Sequence, residues 1–405
     1  MAAAEKTKIY RGFRLITGGR IYENAALAVR DGKIDAFFEK DPGEFSGENT
    51  EIVEGGGLWL APGFIEMHSH GAAGFDFLDG VPEEYIKIAA FQAACGVTTL
   101  YPTTLSASRE ELLKSCDAFN KAKSAGGGAR LYGIHLEGPY IAKSQKGAMD
   151  EKYIRDPIKE EYTELCDACP DIRRMTVAPE LPGAAELGEF LRGRGILPSV
   201  GHTDCDCCDV EKAYYEGGFT LMTHLYSSMT QTRRIGIWRH AGAVEAAYLI
   251  DGMNVEIIAD GCHLPPDLLR LIYKLKGPEH TALTTDSMRA AGQTGGESIL
   301  GSRRCGQRVI IDDGVAKMPD MTAFAGSIAT YDRLVRTMLG KAGVPLTEVM
   351  RMSSETPAKI MGIYSECGSL DAGKRADLTA FDDDISVKLT VVGGQTVHAA
   401  APFQK

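Results

Sequence analysis

The amino-acid sequence predicts an α/β protein, in which a (β/α)8 TIM-like barrel carries a small β-sandwich domain built from both termini. In the middle of the chain, short apolar runs alternate with helical stretches, as is typical of βα units around a parallel sheet. Both ends of the chain instead contain β-rich runs separated by glycine turns. Polar residues close most of the central strands, and in a barrel these carboxyl ends meet at one mouth.

The terminal β domain is predicted to combine residues 1–60 with residues 366–405. Both parts contain short runs of β-branched and aromatic residues bounded by glycine, which indicates strands joined by turns. The predicted strands cover residues 8–17, 26–29, 33–38, 51–60, 378–381, 387–392 and 395–399.

The barrel is predicted to occupy residues 61–365 and to be the catalytic domain, because its polar strand ends would gather at one mouth. Its eight expected strands cover residues 64–70, 97–103, 131–137, 175–178, 197–202, 220–224, 255–260 and 281–286. The helices expected between them include residues 83–95, 109–125, 206–216 and 266–276.

Composition and charge narrow the class of protein. The 405 residues are 44% hydrophobic and 24% charged, which is ordinary for a soluble globular enzyme. The net charge of −11 argues against a nucleic-acid or anionic-membrane partner, because such partners require a basic face. The N-terminus lacks the apolar core of a signal peptide, and no run approaches the roughly 18 apolar residues of a membrane span. We therefore expect a cytoplasmic protein.

The cysteines give no sign of a disulfide scaffold or a zinc finger. Ten cysteines are too few for a disulfide scaffold in a chain of this length. The groupings Cys166-x-x-Cys169 and Cys205-x-Cys207-Cys208 lack a second pair at zinc-finger spacing. We expect ordinary reduced thiols.

Residues 61–71 predict a buried strand that ends in two histidines, His68 and His70. Side chains two positions apart on a strand point the same way, so both imidazole rings can face one metal ion. Taken alone, the pair is equally consistent with two histidines on a polar face of the strand that bind no metal. Other predicted strands end in imidazole or carboxylate side chains, and these are Glu137, His202, His224 and Asp286.

Six such side chains at one barrel mouth predict a site for one or two divalent ions, because histidine nitrogen and carboxylate oxygen are the usual ligands of a catalytic zinc-like ion. The fourth strand ends at residues 178–180 (APE), without the lysine that some barrel hydrolases use to bridge two metals. Glu137 is therefore the expected carboxylate ligand, bridging if two ions bind. These ligands suit Zn, Fe, Mn and Co, and zinc is the first expectation.

Asp286 is the candidate catalytic residue. A carboxylate beside a metal-bound water can accept its proton and pass it to a leaving group. Two alternatives for Asp286 are a further metal ligand and the N-cap of the segment that follows it.

Short motifs distributed along the chain carry a family resemblance. They lie at residues 62–71 (PGFIEMHSHG), 96–104 (GVTTLYPTT), 135–140 (HLEGPY), 201–203 (GHT), 223–225 (THL), 258–263 (IADGCH), 283–286 (LTTD), 325–327 (AGS) and 368–378 (GSLDAGKRADL). Together they resemble the amidohydrolase superfamily, and within it the N-acetylglucosamine-6-phosphate deacetylases. The resemblance covers nearly the whole chain, and HLEGP with THL is specific to this branch.

The resemblance implies roles for the polar strand ends. It implies metal ligation by Glu137, His202 and His224, with His68 and His70 completing a second site. It gives Asp286 the family's acid–base position.

The resemblance also implies a substrate pocket and a dimer. His263 matches the segment that contacts the sugar phosphate, and Arg239 matches an arginine that reaches the site from the neighbouring subunit of a homodimer. The other positions implied to contact the substrate are Ala148, Met149, Ser227, Ser228, Phe324, Ala325 and Gly326.

The chain departs from the family pattern in three places, all within the substrate pocket and none in the metal set. Residues 226–229 (YSSM) replace the usual Phe-Asn-Ala-Met. Residues 239–242 (RHAG) replace Arg-Glu-Pro-Gly, after a longer loop that holds Arg233 and Arg234. Arg233 or Arg234 is the alternative to Arg239 as the phosphate contact, or the two read a different substrate. Met149 follows Lys-Gly-Ala, where the family often has His or Gln.

The resemblance implies metal-dependent hydrolysis of the acetyl amide of an amino sugar phosphate. The expected substrate is N-acetylglucosamine 6-phosphate, giving glucosamine 6-phosphate and acetate in amino sugar catabolism. The alternatives are another N-acyl amino sugar such as N-acetylgalactosamine 6-phosphate, an N-acyl amino acid, or a non-catalytic barrel. Six polar strand ends argue against the last alternative, because a scaffold does not need them.

Overall fold

The computed structural model describes residues 6–45 and 49–404 of the chain, so Met1–Glu5 and residues 46–48 of the predicted terminal domain lie outside the described residues. The strands are β1 (Thr7–Thr17), β2 (Arg20–Arg30), β3 (Lys33–Phe38), β4 (Thr50–Glu54), β5 (Trp59–Pro62), β6 (Phe64–Ser69), β7 (Gly71–Ala72), β8 (Phe75–Asp76), β9 (Val97–Thr104), β10 (Arg130–Leu131), β11 (Ile134–Glu137), β12 (Ile172–Val177), β13 (Leu197–Val200), β14 (Leu221–Met222), β15 (Arg233–Ile235), β16 (Trp238–His240), β17 (Asn254–Ile258), β18 (Thr281–Thr284), β19 (Gly296–Leu300), β20 (Gln307–Asp312), β21 (Val315–Lys317), β22 (Leu378–Phe381), β23 (Val387–Val392) and β24 (Gln395–Ala399).

The helices lie mainly between the central strands. They are α1 (Pro82–Ala94), α2 (Arg109–Ala122), α3 (Lys159–Ala168), α4 (Ala184–Gly193), α5 (Cys207–Lys212), α6 (Ala243–Leu249), α7 (Pro266–His280), α8 (Tyr331–Gly340), α9 (Leu346–Met350) and α10 (Thr356–Ile360). Within the described ranges, none of them has the length and apolar character needed to cross a membrane.

The central strands form the predicted parallel barrel, which confirms the fold class. Strands β9, β11, β12, β13, β14, β17 and β18 follow one another in one parallel sheet, and β6 pairs with the other edge of β9. The barrel closes between β18 and β6, where the Asp286 amide donates to the His68 carbonyl at 2.9 Å and Ser69 and Ser287 form a parallel bridge. The mouth of the barrel is therefore assembled from strands far apart in the sequence.

Several central strands end earlier than the sequence predicts. β13 ends at Val200, β14 at Met222 and β18 at Thr284, each two residues before its polar residue. The physical reason is the backbone of His202, His224 and Asp286, whose φ angles are +48°, +30° and +46°. This left-handed region is incompatible with an extended strand, so the chain turns at each of these residues.

The strands of both termini form a separate sheet. Its order is β24-β23-β22-β5-β1-β2-β3, with β4 parallel to the first half of β1. The two ends meet where β22 pairs antiparallel with β5. Residues from both ends share one buried cluster, which includes Tyr10, Leu27, Leu60, Leu378 and Leu389.

The predicted strand over residues 51–60 is wrong, because the structure divides it into β4 and β5. Gly56 and Gly57 adopt φ angles of +57° and +86° between the two strands. Glycine reaches this region without a side-chain clash, so the three-glycine run makes a turn.

The expectation of reduced thiols is wrong for one pair of cysteines. Cys116 and Cys169 form a disulfide, with their Cα atoms 5.9 Å apart, while the other cysteines are free. Cys116 lies on α2, and Cys169 directly follows α3. These adjacent helices bring together two residues 53 positions apart in sequence, which local spacing alone did not suggest.

Candidate metal centre and active site

The first cluster of potential ligands joins the ends of three barrel strands. The Glu137 Oε1 atom lies 3.1 Å from His202 Nε2 and 2.8 Å from His224 Nε2. The two Nε2 atoms are 3.1 Å apart. All three side chains are buried, so one imidazole pair and one carboxylate converge on a single point that could hold a cation.

The second cluster adjoins the first and shares Glu137 with it. The Nε2 atoms of His68 and His70 are 3.3 Å apart. His70 Nε2 lies 3.2 Å from Glu137 Oε2, whereas His68 Nε2 lies 3.4 Å from Glu137 Oε1. Because both carboxylate oxygens of Glu137 face imidazole nitrogens, this residue is placed to bridge two ions.

The chemistry of these donors fits a divalent metal ion. Ligand atoms about 2.1 Å from a tetrahedral ion lie roughly 3.4 Å from one another, which is close to the spacing in both clusters. The His202 Nδ1 atom lies 2.8 Å from the Gln145 carbonyl, to which it donates. Its Nε2 atom therefore carries the lone pair that a metal needs.

Local backbone geometry explains how the histidines reach the mouth. His202 and His224 leave their strands in the left-handed region, a conformation that costs about 1–3 kcal/mol for a non-glycine residue. The residue before His202 is Gly201, and a Cβ there would lie 2.7 Å from Thr176 and Thr223 side-chain atoms. Only glycine allows neighbouring strands to approach so closely at the point where the ligand turns inward.

Asp286 lies beside the second cluster. Its Oδ1 atom is 3.1 Å from His70 Nε2 and 3.4 Å from His68 Nε2. Burial raises the pKa of Asp286, but the charges of His68 and His70 outweigh burial and hold the pKa below its usual value. Asp286 is thus a carboxylate at neutral pH, and no helix begins directly after it among the described residues.

Sequence reasoning missed a buried ion pair beneath the metal centre. Glu256 Oε1 lies 2.7 Å from His68 Nδ1, and Glu256 Oε2 accepts from Arg174 Nη1 at 2.6 Å. Burial raises the pKa of Glu256, but Arg174 and His68 together hold it well below its usual value. The one signal for this pair in the sequence is Glu256, a charged residue between the apolar residues of β17, whereas Arg174 follows another arginine in β12 and does not stand out.

The metal centre opens into a cavity of about 570 Å³. The sequence-predicted residues that line it are His70, Glu137, Ala148, Met149, His202, His224, Ser227, Ser228, His263, Asp286, Phe324 and Gly326. His68 and Ala325 do not line it: both are buried, and the Ala325 amide donates to the Ala316 carbonyl. Sequence reasoning missed two lysines on its wall, Lys143 and Lys146.

His263 is held in place at one side of the cavity. Its Nδ1 atom lies 2.9 Å from Asp260 Oδ2, and its backbone amide donates to Asp260 Oδ1 at 2.9 Å. Its ring centroid lies 4.8 Å from that of Phe324. The imidazole is therefore positioned both by a carboxylate and by an aromatic side chain of the loop that borders the cavity.

Arg239 lies outside the cavity of its own chain. It belongs to the antiparallel hairpin of β15 and β16, opposite Arg234. Both arginines are exposed, as are Ile237 and Trp238, with exposed fractions of 82% and 71%. Within one chain, this hairpin presents Arg234, Arg239 and its apolar tip to solvent, whereas its Arg233 pairs with Asp206.

Known proteins resemble the chain along almost its whole length. The profile of the Amidohydrolase family matches residues 206–397. The N-acetylglucosamine-6-phosphate deacetylase of Bacillus subtilis is 31% identical over 391 residues, which cover 95% of this chain and 96% of that protein. The N-acetylgalactosamine-6-phosphate deacetylase of Escherichia coli O157:H7 is 30% identical over 391 residues, covering 96% and 99%.

A solved structure supports the same relationship. It is a single-residue mutant of the N-acetyl-D-glucosamine-6-phosphate deacetylase of Mycobacterium smegmatis, in complex with N-acetyl-D-glucosamine-6-phosphate. It matches with a TM-score of 0.86 and 28% identity, covering 98% of this chain and 100% of that chain. The chain therefore belongs to the N-acetylglucosamine-6-phosphate deacetylase family of the amidohydrolase superfamily.

Proposed function

We propose that the protein hydrolyses the acetyl amide of N-acetylglucosamine 6-phosphate, giving glucosamine 6-phosphate and acetate. The observation that carries this proposal is the pair of His–Glu clusters beside Asp286, at the base of a cavity of about 570 Å³. The reaction belongs to amino sugar catabolism, and we place it in the cytoplasm. The catalytic domain comprises residues 61–365, and residues 1–60 plus 366–405 form the terminal domain.

The metal ligands are Glu137, His202 and His224, with His68 and His70 available for a second ion. When bound by these residues, a divalent ion, zinc in our proposal, would supply Lewis-acid chemistry, because it would polarise the acetyl carbonyl and lower the pKa of water. The donors here are imidazole nitrogen and carboxylate oxygen, which also accept iron, manganese or cobalt.

Asp286 moves the proton in this reaction. It accepts a proton from the water whose oxygen adds to the acetyl carbon, and it donates that proton to the amide nitrogen as the C–N bond breaks. This second transfer is required because an amine anion is a very poor leaving group. His68 and His70 hold the carboxylate of Asp286 in place from one side.

The sugar lies among Ala148, Met149, Ser227, Ser228 and Phe324 on the cavity wall. Met149, Ser227 and Ser228 depart from the family pattern. The relative named N-acetylgalactosamine-6-phosphate deacetylase is 30% identical to this chain, and the Bacillus subtilis relative named N-acetylglucosamine-6-phosphate deacetylase is 31% identical. N-acetylgalactosamine 6-phosphate is therefore the second candidate substrate.

Acetate release from the two phosphorylated epimers tests the proposal directly. Metal-loaded protein should release acetate and free amine in equal amounts, with the higher kcat/KM on the gluco epimer. A chelator should abolish the activity, and added zinc should restore it. A higher kcat/KM on the galacto epimer would move the assignment to the second candidate, and no acetate from either would refute deacetylation.

We further propose a homodimer in which the hairpin of β15 and β16 reaches the partner's cavity. The support is that Arg239 lies outside its own cavity and that Ile237 and Trp238 are exposed at the hairpin tip. An exposed apolar tip is stabilised when a second copy covers it. Arginine suits the phosphate because its planar fork can meet two oxygens at once.

Replacing Arg239 by Ala should raise KM for N-acetylglucosamine 6-phosphate about tenfold or more, because a charge-assisted hydrogen bond is lost. The rate on unphosphorylated N-acetylglucosamine should barely change. Arg234→Ala is the matched control, since Arg234 lies directly opposite Arg239 in the hairpin. A larger effect of Arg234→Ala would transfer the role to Arg234, and a monomer in sedimentation equilibrium would refute the shared site.

A further inference from the structure

We propose that Lys146 contributes, from the same chain as the metal ligands, a cation that binds the phosphate of the substrate. This inference rests on the proposed function and adds a specificity-determining residue to its site. Lys146 follows a short 3-10 turn, Lys143–Gln145, and lines the cavity.

The charge of the cavity wall favours a further cation beside the bound phosphate. A phosphate monoester is close to a dianion at neutral pH, while the chain as a whole carries a net charge of −11. The cavity also contains the carboxylates of Glu137 and Asp286. Among the residues described, the Lys and Arg side chains of this chain that line it are Lys143 and Lys146.

Only one of these two lysines lacks an ion-pair partner. Lys143 Nζ lies 3.9 Å from Glu151 Oε1, and the side chain of Lys143 is 66% exposed. Lys146 is half-buried, and its Nζ atom donates to the Met149 carbonyl at 3.5 Å. Over residues 6–45 and 49–404, no carboxylate oxygen lies within 4.0 Å of the Lys146 ammonium group. Its positive charge is therefore available to an anion in the cavity.

The position of Lys146 is fixed relative to the metal centre. The Gln145 carbonyl, one residue before it, accepts from His202 Nδ1 at 2.8 Å. Gly147, one residue after it, packs so closely that a Cβ there would lie 2.9 Å from Ser228 Oγ. Because the backbone is held on both sides, the lysine side chain starts from a defined point between the metal ligand and the sugar-binding wall.

Lys146 and His263 line the same cavity. Its wall also includes Thr322 and Phe324 of the loop after β21, and the ring of Phe324 packs on that of His263. The charge of Lys146 lowers the pKa of two nearby carboxyl groups, Asp150 and Asp320, but neither forms an ion pair with it. A phosphate bound in this cavity can therefore meet both Lys146 and His263.

The experiment compares Lys146→Met with Lys152→Met in the full-length, metal-loaded protein. Methionine keeps most of the length of lysine and removes the charge. For Lys146→Met we expect KM for N-acetylglucosamine 6-phosphate to rise about tenfold or more, with kcat nearly unchanged. KM for unphosphorylated N-acetylglucosamine should stay the same. Lys152→Met should behave like the wild type, because Lys152 does not line the cavity and pairs with Asp150 at 2.7 Å.

Glucose 6-phosphate provides a second readout, because it carries the phosphate but has no amide to hydrolyse. Its inhibition constant should rise about tenfold in Lys146→Met and recover in Lys146→Arg, which restores the charge. Unchanged KM and inhibition constants would overturn the inference, as would an equal rise in KM for both sugars, since the lysine would then bind the ring.

The same data separate this inference from the proposed function. A wild-type protein that treats both sugars alike would refute the phosphate specificity itself, and with it the role of Lys146. A wild-type protein that prefers the phosphorylated sugar, combined with an unaffected Lys146→Met variant, would overturn the role of Lys146 alone.

Discussion

Glu137→Gln should abolish deacetylation and remove most of the bound metal. The two carboxylate oxygens of Glu137 face imidazole nitrogens of both clusters, at 2.8–3.4 Å. An amide in their place is neutral and turns an NH₂ donor towards one cluster, so it repels a cation from at least one site. The fold should survive, because the barrel is held by its own strands and apolar core.

Elemental analysis of the purified protein, with circular dichroism as a check of folding, measures this effect. Glu151→Gln is a matched control, because Glu151 lies in a nearby turn without contacting either cluster. His202→Ala should lose metal as Glu137→Gln does, whereas His68→Ala and His70→Ala should lose at most a second equivalent. Full metal content in both Glu137→Gln and His202→Ala would contradict the assignment of the principal site.

Asp286→Asn should lower kcat by at least about 10³-fold while the metal stays bound. General acid–base groups contribute typically 10²–10⁴-fold, and this one transfers the proton twice. Asparagine keeps the size of the side chain but cannot accept the proton of water. The carboxylate lies 3.1 Å from His70 Nε2, so the substitution also removes a charge next to the second cluster.

Single-turnover rates and metal content, measured on the same sample, separate the loss of proton transfer from the loss of metal. Asp313→Asn is the control, because Asp313 is an exposed carboxylate that pairs with Lys317 at 2.6 Å. Near-normal turnover in Asp286→Asn would show that another group carries the proton. Loss of metal along with the rate would make Asp286 a ligand instead.

Much of the fold could be predicted because its signals are local. The runs at residues 33–38, 378–381, 387–392 and 395–399 are strands over those same residues. The barrel strands are likewise apolar runs bounded by helices, and pattern alone identifies them. Because side chains alternate between the two faces of a strand, the sequence also predicted that His68 and His70 face the same point. Their Nε2 atoms lie 3.3 Å apart in the structure.

Other parts of the site could not be predicted because they depend on contacts between distant segments. The pairing of Glu256 with His68 joins residues 188 positions apart, and nothing in either strand identifies its partner. The position of Lys146 depends on the 3-10 turn before it, whose Gln145 carbonyl accepts a hydrogen bond from His202. The left-handed backbone of His202, His224 and Asp286 is imposed by the barrel mouth, since local preference disfavours it.

The central claim is that this metal site and its cavity act on an amide carried by a phosphorylated sugar. The most direct test is the ratio of kcat/KM for N-acetylglucosamine 6-phosphate to that for N-acetylglucosamine, measured as acetate release by one metal-loaded preparation. Charge-assisted contacts from Lys146, Arg239 and His263 predict a ratio of about 100 or more. A ratio near one would contradict the account and leave a deacetylase of some neutral N-acyl compound.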